Sequence, residues 1–191
     1  MQSPRANVFN MQEFFPLRRN FSGGFNIKKF FAINGSPRRN GNTAQLLNEA
    51  VRGAADAVVF GAPIYFMNLS AGMVAFIERF FFSNYIYSAE IPTVFPKKLP
   101  SAWFYTMNMT EDRFAQFNMA AKLGVSEMTT KNILQVAPKI LRAYNTVQFK
   151  DYSKYESSIF NPEEKIAYRA ENFANLCAQA YEIGRSLIAE S

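Results

Sequence analysis

The sequence predicts an α/β domain built on a doubly wound parallel sheet, and three observations carry that prediction. Short continuous apolar runs of strand length alternate with stretches whose apolar residues recur every three or four positions. Turn signals, Asn34-Gly35 and Gly61-Ala62-Pro63 foremost, stand between them. The chain has 191 residues, 49% hydrophobic and 19% charged, which is the size and composition of one globular domain.

Residues 1–26 have no sustained period and contain Pro4, Pro16 and Gly23-Gly24, so they read as an N-terminal extension or arm before a domain spanning 27–191. Arg18-Arg19 precedes no apolar stretch or cleavage site, which argues against an export signal. Phe9, Phe14, Phe15 and Phe21 suit an arm that lies on another subunit. The first strand is Ile27–Ile33, aromatic and branched, ending at Asn34-Gly35. After a polar turn, Thr43 opens a helix with Leu46, Leu47, Ala50 and Val51 on one face. Ala57–Phe60 is an apolar run of the kind a parallel strand buried on both faces shows, broken by Gly61-Ala62-Pro63. A helix from about Ser70 to Phe82 buries Met73, Val74, Phe76, Ile77 and Phe80.

Ser101–Met107 is the third strand, with a polar loop from Asn108 to Arg113. Residues 114–142 read as helix, broken near Gly124 and Pro138, and Thr146–Phe149 as a fourth strand. Asn161 caps a long last helix, with Pro162 first and Glu163-Glu164 complementing the dipole. Its apolar face is Ile166, Ala170, Phe173, Cys177, Ala180, Gly184 and Leu187.

Composition removes several chemistries. There is no histidine, so a Ser-His-Asp triad, a Cys-His dyad and His-ligated zinc are excluded within the chain. Cys177 is the only cysteine, which rules out an intrachain disulfide and suits a reducing, cytoplasmic setting. No apolar run reaches the roughly 18 residues of a membrane span. The net charge of +6 and pI near 9.5 favour anionic partners. Scattered basic pairs suit a diffuse field for phosphorylated small molecules better than a nucleic-acid tail, so neither nucleic acid nor membrane is expected as partner.

The chemistry concentrates in two turns. After the first strand, Gly35 turns the chain, Ser36, Asn42 and Thr43 offer donors, Arg38 and Arg39 offer charge, and a helix begins. That is a phosphate socket, although a well-capped βα turn would look the same. It is neither a Walker A loop nor Gly-x-Gly-x-x-Gly. The second turn, Gly61-Ala62-Pro63-Ile64-Tyr65-Phe66-Met67-Asn68, follows a buried strand at the sheet end where open α/β folds bind ligands. It suits a flat heterocycle with a polar edge; alternatively Tyr65 and Phe66 are core aromatics.

Three segments, Asn34-Gly-Ser-Pro-Arg-Arg-Asn-Gly-Asn-Thr43, Ala55-Asp-Ala-Val-Val-Phe-Gly-Ala-Pro-Ile-Tyr-Phe66 and Ser70-Ala-Gly-Met-Val-Ala-Phe-Ile-Glu-Arg79, resemble the NADPH-dependent FMN reductase family of the flavodoxin-like superfamily. The resemblance is firm over 27–107. It implies a three-layer α/β/α flavodoxin-like fold and bound FMN. The first turn would hold the phosphate at Ser36, Arg38, Asn42 and Thr43. The second would line the isoalloxazine with Pro63, Ile64, Tyr65, Phe66 and Asn68, with Met67 beside them. The loop after the next strand would close the other side through Met107, Asn108 and Met109. The function so implied is NAD(P)H oxidation with electrons passed through FMN to a flavin, quinone or other small-molecule or protein acceptor. A flavodoxin-type or iron-sulfur flavoprotein carrier without its own substrate site is the alternative, and a flavin-free binding module the third. A homodimer or higher homo-oligomer is implied as well.

One departure stands out. The family's sheet order is 2-1-3-4-5, yet here the first helix ends near Arg52-Gly53 and runs at once into Asp56. Edge strand 2 and its return connection, typically some thirty residues, are absent. In iron-sulfur flavoproteins that segment carries the cysteines of a [4Fe–4S] cluster, so the cluster question hangs on it. Either the deletion is real or a stretch between Arg52 and Asp56 is missing from the chain as it stands. Parallel crossovers are right-handed in about 98% of cases, and skipping strand 2 with the helix kept on its face reverses the hand. The second explanation is therefore favoured. A real deletion would require the first helix to cross to the other face.

Overall fold

A computed structural model describes residues 9–10, 30–36, 41–51 and 57–189. The central sheet runs β1 (Phe9–Asn10), β2 (Phe30–Asn34), β3 (Ala57–Tyr65), β5 (Ser101–Thr106), β6 (Lys139–Ala143), all parallel, with β4 (Asn68–Leu69) antiparallel to the end of β3. Helices α1 (Asn42–Val51) and α5 (Pro162–Ala189) cover one face. The other carries α2 (Ala71–Phe82), α3 (Glu111–Gln116) and α4 (Met119–Leu134). This is the three-layer α/β/α arrangement expected from the sequence.

Two apolar clusters hold the layers. Phe60, Trp103 and Tyr105 point from the sheet toward α2 and α4, where Phe60 stacks on Trp103 at a centroid distance of 4.6 Å. On the opposite face Ala32, Val59 and Phe104 meet Leu46, Leu47 and Ala50 of α1 and Ala180 and Leu187 of α5. Strand alternation divides neighbouring residues between the two cores.

Several boundaries differ from the sequence reading, each for a physical reason. β3 does not stop at Phe60 but continues through Gly61 and Pro63 to Tyr65. The Gly61 carbonyl accepts from Gly35 N on the β2 side, and β2 pairs no further than Asn34. Pro63, two residues on, directs its backbone to that same side beyond the last pair, so its missing N–H removes no ladder bond. β6 is Lys139–Ala143, not Thr146–Phe149: Pro138 ends the preceding connection and Leu141 and Ala143 turn inward. The break within 114–142 falls at Phe117-Asn118, where Asn118 adopts a left-handed φ of 50°, whereas Gly124 lies inside α4. On α5, Ile166 and Ala170 face solvent, and the buried position of its first turns is Lys165.

Phe9–Asn10 lies beside β2, at the edge where strand 2 of a flavodoxin-like sheet would sit. The rest of the N-terminal segment, residues 27–29 of the first strand and the join at 52–56 lie outside the described residues. α1 has not crossed over: it remains on the α5 face, held by Leu46, Leu47 and Ala50. The steps β2→β3, β3→β5 and β5→β6 all run one way across the sheet. The first passes over the opposite face from the other two, so its hand is opposite to theirs. With those two in the common right-handed form, β2–α1–β3 is left-handed.

Candidate functional site

At the carboxyl ends of the parallel strands lies an open cleft with four walls. The first is the β2–α1 turn with Ser36, Gly41, Asn42 and Thr43; the second is the end of β3, Pro63–Tyr65. The third is Thr106–Asn108 after β5, and the fourth is Thr146–Gln148 after β6. Among the described residues no acidic side chain lines it.

Its donors have identifiable supports. Ser36 N donates to Asn34 Oδ1 at 3.0 Å, which shapes the turn as β2 ends. Thr43 Oγ1 lies 2.8 Å from Thr106 Oγ1 across the floor, both side chains buried. With Thr106 donating, Thr43 keeps its own proton for an anion. The first turn of α1 adds N–H groups that no helical carbonyl reaches, and the positive end of the dipole. Gly61 permits this approach: a Cβ there would lie 2.7 Å from Thr43 Cγ2 and 2.5 Å from Leu47 Cδ1.

Asn42 is different. Its Nδ2 donates to Val147 O at 3.3 Å and its Oδ1 accepts from Arg169 of α5, so its amide is engaged inside the protein. At the third wall, Asn108 Oδ1 is buried without a hydrogen-bond partner among the described residues. Its backbone carbonyl accepts from Lys165 Nζ at 3.1 Å. Lys165 Nζ also donates to Asn145 Oδ1 at 2.6 Å. Burial pushes the Lys165 ammonium below the usual lysine range, only partly countered by the neighbouring Glu164. The fourth wall is tied back: Thr146 N and Oγ1 both donate to Met107 O, at 2.9 and 3.0 Å, and Gln148 N donates to the Tyr152 hydroxyl at 3.0 Å.

The sequence-predicted site residues divide accordingly. Ser36, Asn42, Thr43, Pro63, Ile64, Tyr65, Met107 and Asn108 converge on the cleft. Arg38 and Arg39 lie outside the described residues. Phe66, Met67 and Asn68 do not line it. Phe66 and Met67 form the two-residue turn between β3 and β4 with left-handed φ of 47° and 61°, and the Phe66 ring is fully exposed. Met67 leans on the α2/α4 core, and Asn68 Oδ1 accepts from Leu69 N. The left-handed turn after Tyr65 and the reversal into β4 carry these side chains away from the cleft. Met109 packs against the same core. Thr106 reads from sequence only as a residue of the third strand, and Thr146, Val147 and Gln148 are missed because 146–149 reads as a strand rather than the loop after one. Lys165 and Arg169 gave no signal, because the apolar pattern of α5 runs through Ile166 and Ala170 beside them.

No family model matches the sequence, and no curated protein matches it. Solved structures do. The fold is similar to the NAD(P)H:quinone oxidoreductase from Methanothermobacter marburgensis, with a TM-score of 0.56 at 13% identity over 83% of this chain and 96% of that one. It is similar also to Smu.1420 from Streptococcus mutans UA159, with a TM-score of 0.57 at 12% identity over 82% of this chain and 98% of that one. Among the described residues no helix is long and apolar enough to cross a membrane. Sheet order, layer assignment and this likeness agree on the architecture: the chain has the flavodoxin-like fold.

Proposed function

We propose that the cleft binds FMN and that the protein is an NAD(P)H oxidoreductase of the NADPH-dependent FMN reductase kind. The observation that carries this reading is the convergence of three separate parts of the sequence, Ser36 with 41–43, 63–65 and 107–108, on one cleft at the carboxyl ends of the strands. The donor set fits the cofactor. A helix N-terminus with the Thr43 hydroxyl, lined by no acid among the described residues, suits a phosphate dianion. The unpartnered Asn108 Oδ1 supplies an acceptor for the N–H on the ring's polar edge. Tyr65, half-buried on the opposite wall, offers a flat apolar surface.

Bound FMN would supply hydride acceptance from NAD(P)H and delivery of one or two electrons to an acceptor. The chain's own part is to bind and orient. Thr43 and the start of α1 would hold the phosphate, Pro63–Tyr65 and Met107–Asn108 would bracket the ring, and Arg38 and Arg39 would add charge at the socket. The likeness to a quinone oxidoreductase favours a small-molecule acceptor such as a quinone. The exposed Phe66, Phe82, Tyr87 and Ile91 favour a homo-oligomer.

The test is the visible spectrum of the purified protein with and without added FMN, followed by steady-state NADPH oxidation with an artificial quinone. Flavin bands and sustained turnover are expected. Flavin bands without turnover would point to an electron carrier, and no uptake of FMN would overturn the reading.

A further inference from the structure

We propose that Lys165 and Arg169, one turn apart on α5, are positioning residues for the flavin: Arg169 sets the phosphate end of the cleft and Lys165 the ring end. The inference rests on the reading that the cleft takes FMN.

Both cations occupy the inward side of α5, in line with the buried Ala180 and Leu187, and Lys165 is only 5% exposed. Among the described residues neither forms an ion pair with a carboxylate. Each is held by neutral acceptors instead, and those acceptors belong to the walls of the cleft or to the turns beneath them. A buried lysine with no carboxylate partner among the described residues opposes stability, so packing does not account for Lys165.

The ties fall at two ends. Arg169 lies over the Phe173 ring at 3.9 Å, which fixes its guanidinium plane. The guanidinium donates to Asn42 Oδ1 and, at 3.1 Å, to Gln45 Oε1, both in the first turn of α1. By taking Asn42 Oδ1 it leaves Nδ2 aimed at Val147 O, which links the phosphate turn to the fourth wall. Lys165 acts one turn earlier on α5. Its Nζ joins Asn108 O in the third wall to Asn145 Oδ1, and Asn145 is held at a left-handed φ of 46° just before the fourth wall. Asn145 N in turn donates to Met109 O at 2.9 Å. Two α5 cations therefore register three of the four walls against each other, and they place positive charge behind a socket that no acid lines among the described residues.

The experiment titrates the full chain with FMN and with riboflavin, which lacks the phosphate, and follows flavin fluorescence. Arg169→Met, which keeps the stem over Phe173, is expected to weaken FMN at least tenfold and change riboflavin by less than twofold. Lys165→Met is expected to weaken both flavins by a similar factor, at least fivefold, and to shift the visible bands of the bound ring. A merely structural role would make Arg169→Met weaken FMN and riboflavin alike, and that result overturns the assignment. Arg169→Lys keeps the charge with fewer donors and serves if the methionine variant does not fold. FMN weakened threefold or more with riboflavin unchanged supports the proposal, and equal loss of both defeats it. Wild type that binds FMN while the variants behave identically to it removes this proposal and leaves the FMN reading standing. Wild type that binds no flavin removes both.

Discussion

Thr43 meets two demands at once, a buried hydroxyl that must be paired and a socket that needs a donor, and the Thr106 hydroxyl at 2.8 Å reconciles them. Replacing Thr43 by Ala together with Arg38 by Ala is expected to weaken FMN at least tenfold, because each charge-assisted hydrogen bond contributes about 1.5–3 kcal/mol. Isothermal titration checks this, and unchanged affinity would remove the phosphate from this turn. Lys165 gives a second prediction at the same scale. Burial holds its ammonium below the usual lysine range, so over the interval up to the unfolded value the unfolded chain binds the proton and the native chain does not. Stability from this group therefore rises with pH across that interval. Relative to Lys165→Met, wild type is expected to gain in melting temperature as the pH rises toward about 10.5, the ordinary lysine value. A difference independent of pH would mean that the ammonium is not held below its usual range.

Among the elements, the α1–α5 contact positions the site most directly, and Gly184 sets how close it can be. A Cβ at Gly184 would lie 2.3 Å from Ala50 O, a backbone atom that no side-chain rotation can relieve. Ala is the better helix former by about 1 kcal/mol, but forced separation of two packed helices costs about 1–3 kcal/mol. Gly184→Ala is accordingly expected to lower the melting temperature by a few degrees and to weaken FMN by drawing Arg169 off Asn42. Calorimetry and flavin titration measure the two effects separately. The end of β3 shows the reverse case, where a residue usually hostile to strands is harmless because its backbone faces past the end of β2.

At the scale of the molecule, three successive steps cross the sheet in one direction, yet the first uses the face opposite to the other two. α1 stays with α5 because Leu46, Leu47 and Ala50 bury against Ala32 and Val59, and α5 seals the same core through Ala180 and Leu187. One face of the sheet thus depends on the last 28 residues assigned to helix. Ending the chain at Asn161 would expose that core, and the truncated protein is expected to lose cooperative thermal unfolding. A sharp transition like that of the full chain would show that α5 contributes little to the fold.

What the sequence by itself determined was the α/β class, most elements and two of the four walls of the cleft, because these follow from local signals. Apolar runs gave β2, β3 and β5. The spacing of Leu46, Leu47 and Ala50 gave α1, and Asn161-Pro162 gave the start of α5, where Asn161 Oδ1 accepts from Glu164 N at 3.2 Å. Ser36 with Asn42 and Thr43, and Pro63 to Tyr65, announced their walls through turn chemistry. Met107 and Asn108 came from the family resemblance and not from any local pattern. Tertiary structure alone decided where β3 ends, since the harmlessness of Pro63 depends on where a neighbouring strand stops. It decided that Lys139–Ala143 is the strand and 146–148 a wall, because register across the sheet, not propensity, chose between two short apolar runs. It also decided the roles of Lys165 and Arg169, whose partners lie 57 and 127 residues away in the chain. Contacts over such separations leave no periodic mark on the residues that make them, and so only the folded chain reveals them.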